Sequence, residues 1–126
     1  MSVSRVTPES ASGTVKPIYN DIAKVGHGWV PDFYQVLAHC PQLLEGFWKI
    51  QRELIFAGKV SGKHREMLNV FVSLKNRCEY CAYHHSAFGL RAGLRKEQLG
   101  ALEDYSRSPL FDDLEKLLLR YAEEYL

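Results

Sequence analysis

Two cysteines and two histidines crowd the nine-residue stretch RCEYCAYHH, residues 77–85. Cys78 and Cys81 are separated by two residues, and His85 follows Cys81 by four. On a helix, residues three or four apart are neighbours roughly 5 Å from one another, which is within reach of a disulfide. Three chemistries suit such a cluster: a structural disulfide, a metal site, or a redox dithiol supplied with its own base.

The redox reading has a physical basis in the spacing. Asn76 followed by Glu79 fits a capping box, which predicts a helix capped at Asn76 with Cys78 at its second position. There the helix dipole favours a thiolate. His85 falls one turn beyond Cys81 on the same face and can take the Cys81 proton. The two effects favour different sulfurs. A directional base also moves a proton during chemistry, so Cys81 is assigned as the activated sulfur and Cys78 as its resolving partner. Glu66 stands on the preceding helical stretch, at the flank of its apolar face. If the two helices form an antiparallel hairpin about residues 75–77, Glu66 and His85 lie at similar distances from the turn. The carboxylate would then orient and polarise the imidazole, giving a nucleophile, a base and an orienter.

The competing readings use the same residues. Cys78, Cys81 and His85, with Glu66 or His84, could hold zinc tetrahedrally. A structural zinc site usually draws a second ligand pair from elsewhere, and the chain has no second C-x2-C and no H-x3-H. His84 must point about 100° away from His85 on a helix, which suits a supporting or surface position. His27, His39 and His64 read as cap or surface residues. Cys40, ahead of Pro41, reads as a buried inert thiol. Tyr80 and Tyr83 suit either a pocket wall or a subunit contact, and Trp29, Phe33, Phe47 and Trp48 suit core or interface. There is no G-x-G-x-x-G and no haem or flavin motif, so no cofactor and no resident metal are expected.

The elements that must position these groups read as helices throughout. The chain has 126 residues, 46% hydrophobic and 25% charged, which suits one domain with one core. A formal net charge of +1 gives no field to recruit nucleic acid or an anionic membrane. No run of apolar residues approaches membrane-spanning or signal-peptide length. Three cysteines are too few for a disulfide scaffold, and a cytoplasmic setting is expected. Residues 1–16, rich in Ser, Thr, Pro and Gly, read as a mobile arm, and residues 17–126 as a single helical domain. Pro31 and Pro41 open helical stretches, and Gly58 is a natural stop. Ser61 is a plausible cap for the stretch carrying Met67, Val70, Phe71 and Leu74 at i, i+3, i+4 and i+7. Gly93 ends the motif helix, a short helix begins near Arg95, and a strongly amphipathic one follows Ser108 and Pro109. The predicted class is all-α, with short connections and a central antiparallel hairpin carrying the Cys-x2-Cys. In the last helix Leu114, Leu117, Leu118, Tyr121 and Tyr125 form an apolar stripe that calls for cover, by further chain or by a symmetric partner.

Glu66, Cys78, Cys81 and His85 stand as E-x11-C-x2-C-x3-H. With the flanking text VPDFYQVLAHCPQLLEGF and HHSAFGLRAGLRKEQLGAL, this resembles the alkyl hydroperoxidase D-like proteins of the carboxymuconolactone decarboxylase superfamily. The resemblance covers roughly residues 28–125. It implies an all-helical thiol peroxidase or dithiol reductant, with Cys78 and Cys81 as the redox pair and Glu66 and His85 as the proton relay. The partners it implies are a peroxide or other small oxidised substrate, an external dithiol, and copies of the same chain in a trimer or hexamer, although a dimer would satisfy the physics. Some of these proteins carry another His between the cysteines, where this chain has Tyr80. Two alternatives remain beside this reading. One is a decarboxylase-like acid–base enzyme using Glu66 and His85. The other is a non-enzymatic zinc-binding or redox-sensing helical module.

Overall fold

Residues 3–126 are described by a computed structural model. They form seven α-helices and one short 3-10 turn, with no strand among the described residues. The all-α class read from the sequence is what the chain adopts. The helices group into two compact units, residues 1–58 and residues 59–126, each with its own apolar core.

The first unit contains α1 (Val15–Val25), α2 (Asp32–Leu37) and α3 (Pro41–Phe56). Val15, Tyr19 and Ile22 form the buried face of α1, at i, i+4 and i+7. Pro17 is tolerated inside the first turn, where backbone N–H groups have no intrahelical acceptor to lose. Leu44 and Trp48 of α3 complete the core, and Trp48 Nε1 donates to Asp21 Oδ2 at 2.9 Å. The stretch expected as an arm is tied to this core in its described part. The Val6 amide donates to the Gln35 carbonyl, Tyr19 Oη donates to the Val6 carbonyl, and Ala11 is buried. Residues 1 and 2 lie outside the described residues.

The second unit runs through α4 (Gly62–Lys75), α5 (Glu79–Arg91), α6 (Lys96–Ala101), the 3-10 turn Leu102–Asp104 and α7 (Asp113–Glu124). Ser61 caps α4 as the sequence suggests, its hydroxyl accepting the His64 amide at 3.2 Å. Helix α4 packs along α5 on one side and against α7 on another. Met67, Val70 and Phe71 are its buried apolar side chains, and Leu102, Tyr105, Phe111 and Leu119 surround them. Burial pushes the Tyr105 hydroxyl up to about 12, and its bond to Glu123 adds to the shift. Glu123 also pairs with Lys75 at 2.9 Å, which ties the last residue of α4 to α7.

The last helix starts later than Ser108 and Pro109 suggest. Asp112 caps it, and Glu115 returns the bond in a capping box. Glu115 is buried and pairs with Lys63 of α4 at 2.6 Å. The inward face of α7 is therefore Glu115 and Leu119, while Leu114, Leu117, Tyr121 and Tyr125 are exposed. No helix among the described residues is long and apolar enough to cross a membrane.

Candidate functional site

The site is built where α4 ends and α5 begins. Asn76 ends α4 rather than capping α5, and Arg77 adopts a left-handed conformation with φ of 54°. A left-handed residue cannot belong to the first turn of a right-handed helix, so the capping box expected from Asn76 and Glu79 does not form. The Arg77 amide donates to the Leu74 carbonyl and the Cys78 amide to the Ser73 carbonyl, at 3.0 and 2.9 Å. These two bonds make a Schellman closure and satisfy carbonyls that α4 would otherwise leave open.

Cys78 thereby belongs to both helices. Its backbone N–H closes α4, and it is the N-cap residue of α5. Its Sγ accepts the backbone N–H of Cys81 at 3.3 Å, the role that Ser or Asp usually fills at a cap. Cys81 lies in the first turn of α5, with its Cα 5.3 Å from that of Cys78, and the two sulfurs are joined in a disulfide. Both residues are partly buried.

His85 follows Cys81 by one helical turn, and its Nδ1 lies 2.8 Å from Glu66 Oε2 on α4. An ionised carboxylate only accepts, so Nδ1–H donates to Glu66, and in the neutral ring Nε2 holds the lone pair. Glu66 is buried, and its second oxygen lies 3.4 Å from Arg65 Nε. A buried carboxylate with a partner on each oxygen is held in one orientation. His85 remains about a third exposed, its side chain at 35%. It can therefore meet a small molecule while its far nitrogen is fixed.

Two further residues contribute without having been singled out in the sequence. Gly89 lies one turn beyond His85 and is buried. A Cβ there would stand 2.6 Å from Leu94 Cδ1 and 3.6 Å from Glu66 Cβ, so its bareness lets Leu94 and α4 close on this part of α5. A Gly four residues after a His on a helix was the available signal. Arg65 was hidden because a charged residue in the first turn of an amphipathic helix ordinarily faces water.

The other candidates fall elsewhere. His84 packs its ring against Tyr80 and Tyr83, at centroid distances of 4.3 and 5.1 Å, on the exposed flank of α5. His39 reaches the Ser4 carbonyl, and His27 is exposed at a left-handed position. Cys40 is exposed, which corrects the buried thiol expected there. It caps α3 ahead of Pro41, and such a junction residue lies outside the helix's apolar stripe. No group of three or more His, Cys, Asp or Glu side chains among the described residues is arranged to hold a metal ion.

A family model described as the carboxymuconolactone decarboxylase family matches residues 41–124, more than half of the chain. The chain belongs to the carboxymuconolactone decarboxylase family. The matched span of this family includes the whole of α3, the whole Glu66–His85 segment and the whole of α7. Neither a curated protein nor a solved structure matches the chain.

Proposed function

We propose that the protein is a dithiol oxidoreductase that reduces a peroxide through a Cys78–Cys81 cycle, with Glu66 and His85 as its proton relay. The observation that carries this reading is the hydrogen bond from His85 to buried Glu66, made one turn from a cysteine already paired with its neighbour. A carboxylate that fixes the imidazole tautomer turns its other nitrogen toward proton transfer. The reading takes α4 and α5 as an antiparallel hairpin presenting the Cys-x2-Cys at its turn.

In the cycle, neutral His85 takes the Cys81 proton and the thiolate attacks one peroxide oxygen. The O–O bond breaks, Cys81 becomes a sulfenic acid, and the departing oxygen takes a proton and leaves as alcohol or water. Cys78 then attacks the Cys81 sulfur, expels water and closes the disulfide. An external dithiol reopens it by exchange. The sulfurs are held at the α4–α5 junction and the relay by the Glu66–His85 bond between the two helices. We further take the working form to be a cytoplasmic homo-oligomer. The exposed Leu114, Leu117 and Tyr121 support that reading, since an apolar helix face is usually covered.

The family match favours a second reading, an acid–base enzyme of the decarboxylase type that uses Glu66 and His85 alone. One assay separates the two. Peroxide consumption is followed with a dithiol donor for the native chain, Cys78→Ser and Cys81→Ser. The dithiol reading expects turnover to be lost in both variants. Full turnover in either would remove it, and would leave the carboxylate–imidazole pair as the working chemistry.

A further inference from the structure

The two sulfurs of the disulfide stand in unequal surroundings, and the difference bears on how the bond is reopened. Cys78 Sγ sits at the head of α5 and accepts the Cys81 amide hydrogen. The Cys78 backbone is bound at the same time to the Ser73 carbonyl, so this sulfur is held from both helices. Cys81 lies one turn from His85, whereas Cys78 lies two turns away. We infer that the external dithiol attacks Cys81, that His85 takes the proton of the attacking thiol, and that Cys78 departs as the thiolate. This rests on the dithiol reading above and adds the site and direction of donor attack.

The departing group decides the direction. A thiolate leaving at Cys78 keeps the amide bond from Cys81, now charge-assisted, and lies at the positive end of the helix dipole. Exchange is faster when the leaving sulfur is the better stabilised anion. The base decides the same way. Neutral His85, with Nδ1–H given to Glu66, offers a lone pair at Nε2. That suits it to remove a proton from an incoming thiol rather than to supply one to a departing sulfur.

The step balances. The donor R–SH gives its proton to His85 and its sulfur bonds to Cys81 Sγ. The Cys78–Cys81 bond breaks with both electrons going to Cys78, so the donor sulfur is oxidised and Cys78 reduced. The donor's second thiol loses its proton to solvent and attacks the first donor sulfur. The donor disulfide forms, and Cys81 leaves and takes the proton held on His85.

A monothiol stops this sequence at the mixed disulfide. The native chain, oxidised with diamide, is mixed with 2-mercaptoethanol, quenched in acid over a millisecond series, alkylated and mapped by mass. Extrapolated to zero time, the adduct is expected on Cys81 with the alkyl group on Cys78, in a ratio of about tenfold or more. An adduct on Cys78, or an even distribution, would overturn the inference. In His85→Ala, adduct formation at neutral pH is expected to slow and to recover when the thiol is ionised at alkaline pH; an unchanged neutral rate would remove His85 from the step. A chain that forms the Cys81 adduct but does not reduce peroxide defeats the peroxide reading alone. A chain that turns over peroxide while its adduct sits on Cys78 defeats this inference alone.

Discussion

Helices α4 and α5 end in the same closure, with different residues at its left-handed position. At the end of α5 that residue is Gly93, with φ of 103°, and the Leu94 amide bonds to the Gly89 carbonyl at 2.8 Å. At the end of α4 it is Arg77, with φ of 54°, and the Cys78 amide bonds to the Ser73 carbonyl. Glycine reaches this conformation without steric cost, while a side chain there costs about 1–2 kcal/mol. The residue that follows differs in kind as well. Leu94 enters the core, whereas Cys78 is half-buried and becomes the cap of the next helix. The α5 closure therefore serves packing. The α4 closure places a sulfur between two helix ends, and the fold tolerates a strained backbone to do so.

Substitutions at the two closures, and at the pair beside the sulfurs, should separate these roles. Among these substitutions the largest effect is expected for His85→Ala, which removes the proposed base while leaving both closures intact. Peroxide reduction should fall by about 10²- to 10⁴-fold, the usual contribution of a general base. Glu66→Gln keeps the shape and loses the charge that fixes the imidazole, so its loss should be smaller. Stopped-flow rates with the thiol titration of each variant check this, and an unchanged His85→Ala would show that the site does not depend on the relay.

The next effect falls on stability and contrasts the two turns directly. In Gly93→Ala nothing crowds the new Cβ, but φ remains in the region that side chains avoid. Urea unfolding should show a loss of about 1–2 kcal/mol, with the disulfide chemistry retained. Arg77→Gly relieves the same strain at the other turn and should be neutral or stabilising by under about 1 kcal/mol. If Arg77→Gly destabilised as much as Gly93→Ala, the arginine would be making contacts that outweigh its backbone, and the contrast between the turns would fail.

Much of this was readable in the sequence, for physical reasons that differ by residue. The stretch 61–75 shows both a cap and an apolar period, so α4 was legible at its start and along its buried face. The Glu66–His85 meeting was expected from similar distances to a turn, which only requires that two helices be joined briefly. The register of that turn was not legible. Asn76 and Glu79 match a capping box, yet the closure is set by Arg77 in a conformation that nothing about an arginine advertises. Helix α1 was missed because Pro17 and the small polar residues before it look like linker, although Val15, Tyr19 and Ile22 carry its period. On α7 the apolar residues exceed what one face can bury, so the pattern alone did not tell the inward Leu119 from the outward Leu117.

The most direct test of the central claim is the fate of the three thiols after one equivalent of peroxide is added to the fully reduced chain. Alkylation followed by mass mapping should find Cys78 bonded to Cys81 within the same molecule, Cys40 alkylated, and one peroxide consumed per bond formed. The same experiment on Cys78→Ser should leave Cys81 as a sulfenic acid that a dimedone-type probe captures. Contradiction would be a bridge that includes Cys40, or a reduced chain whose Cys78 and Cys81 remain alkylatable while the peroxide is untouched.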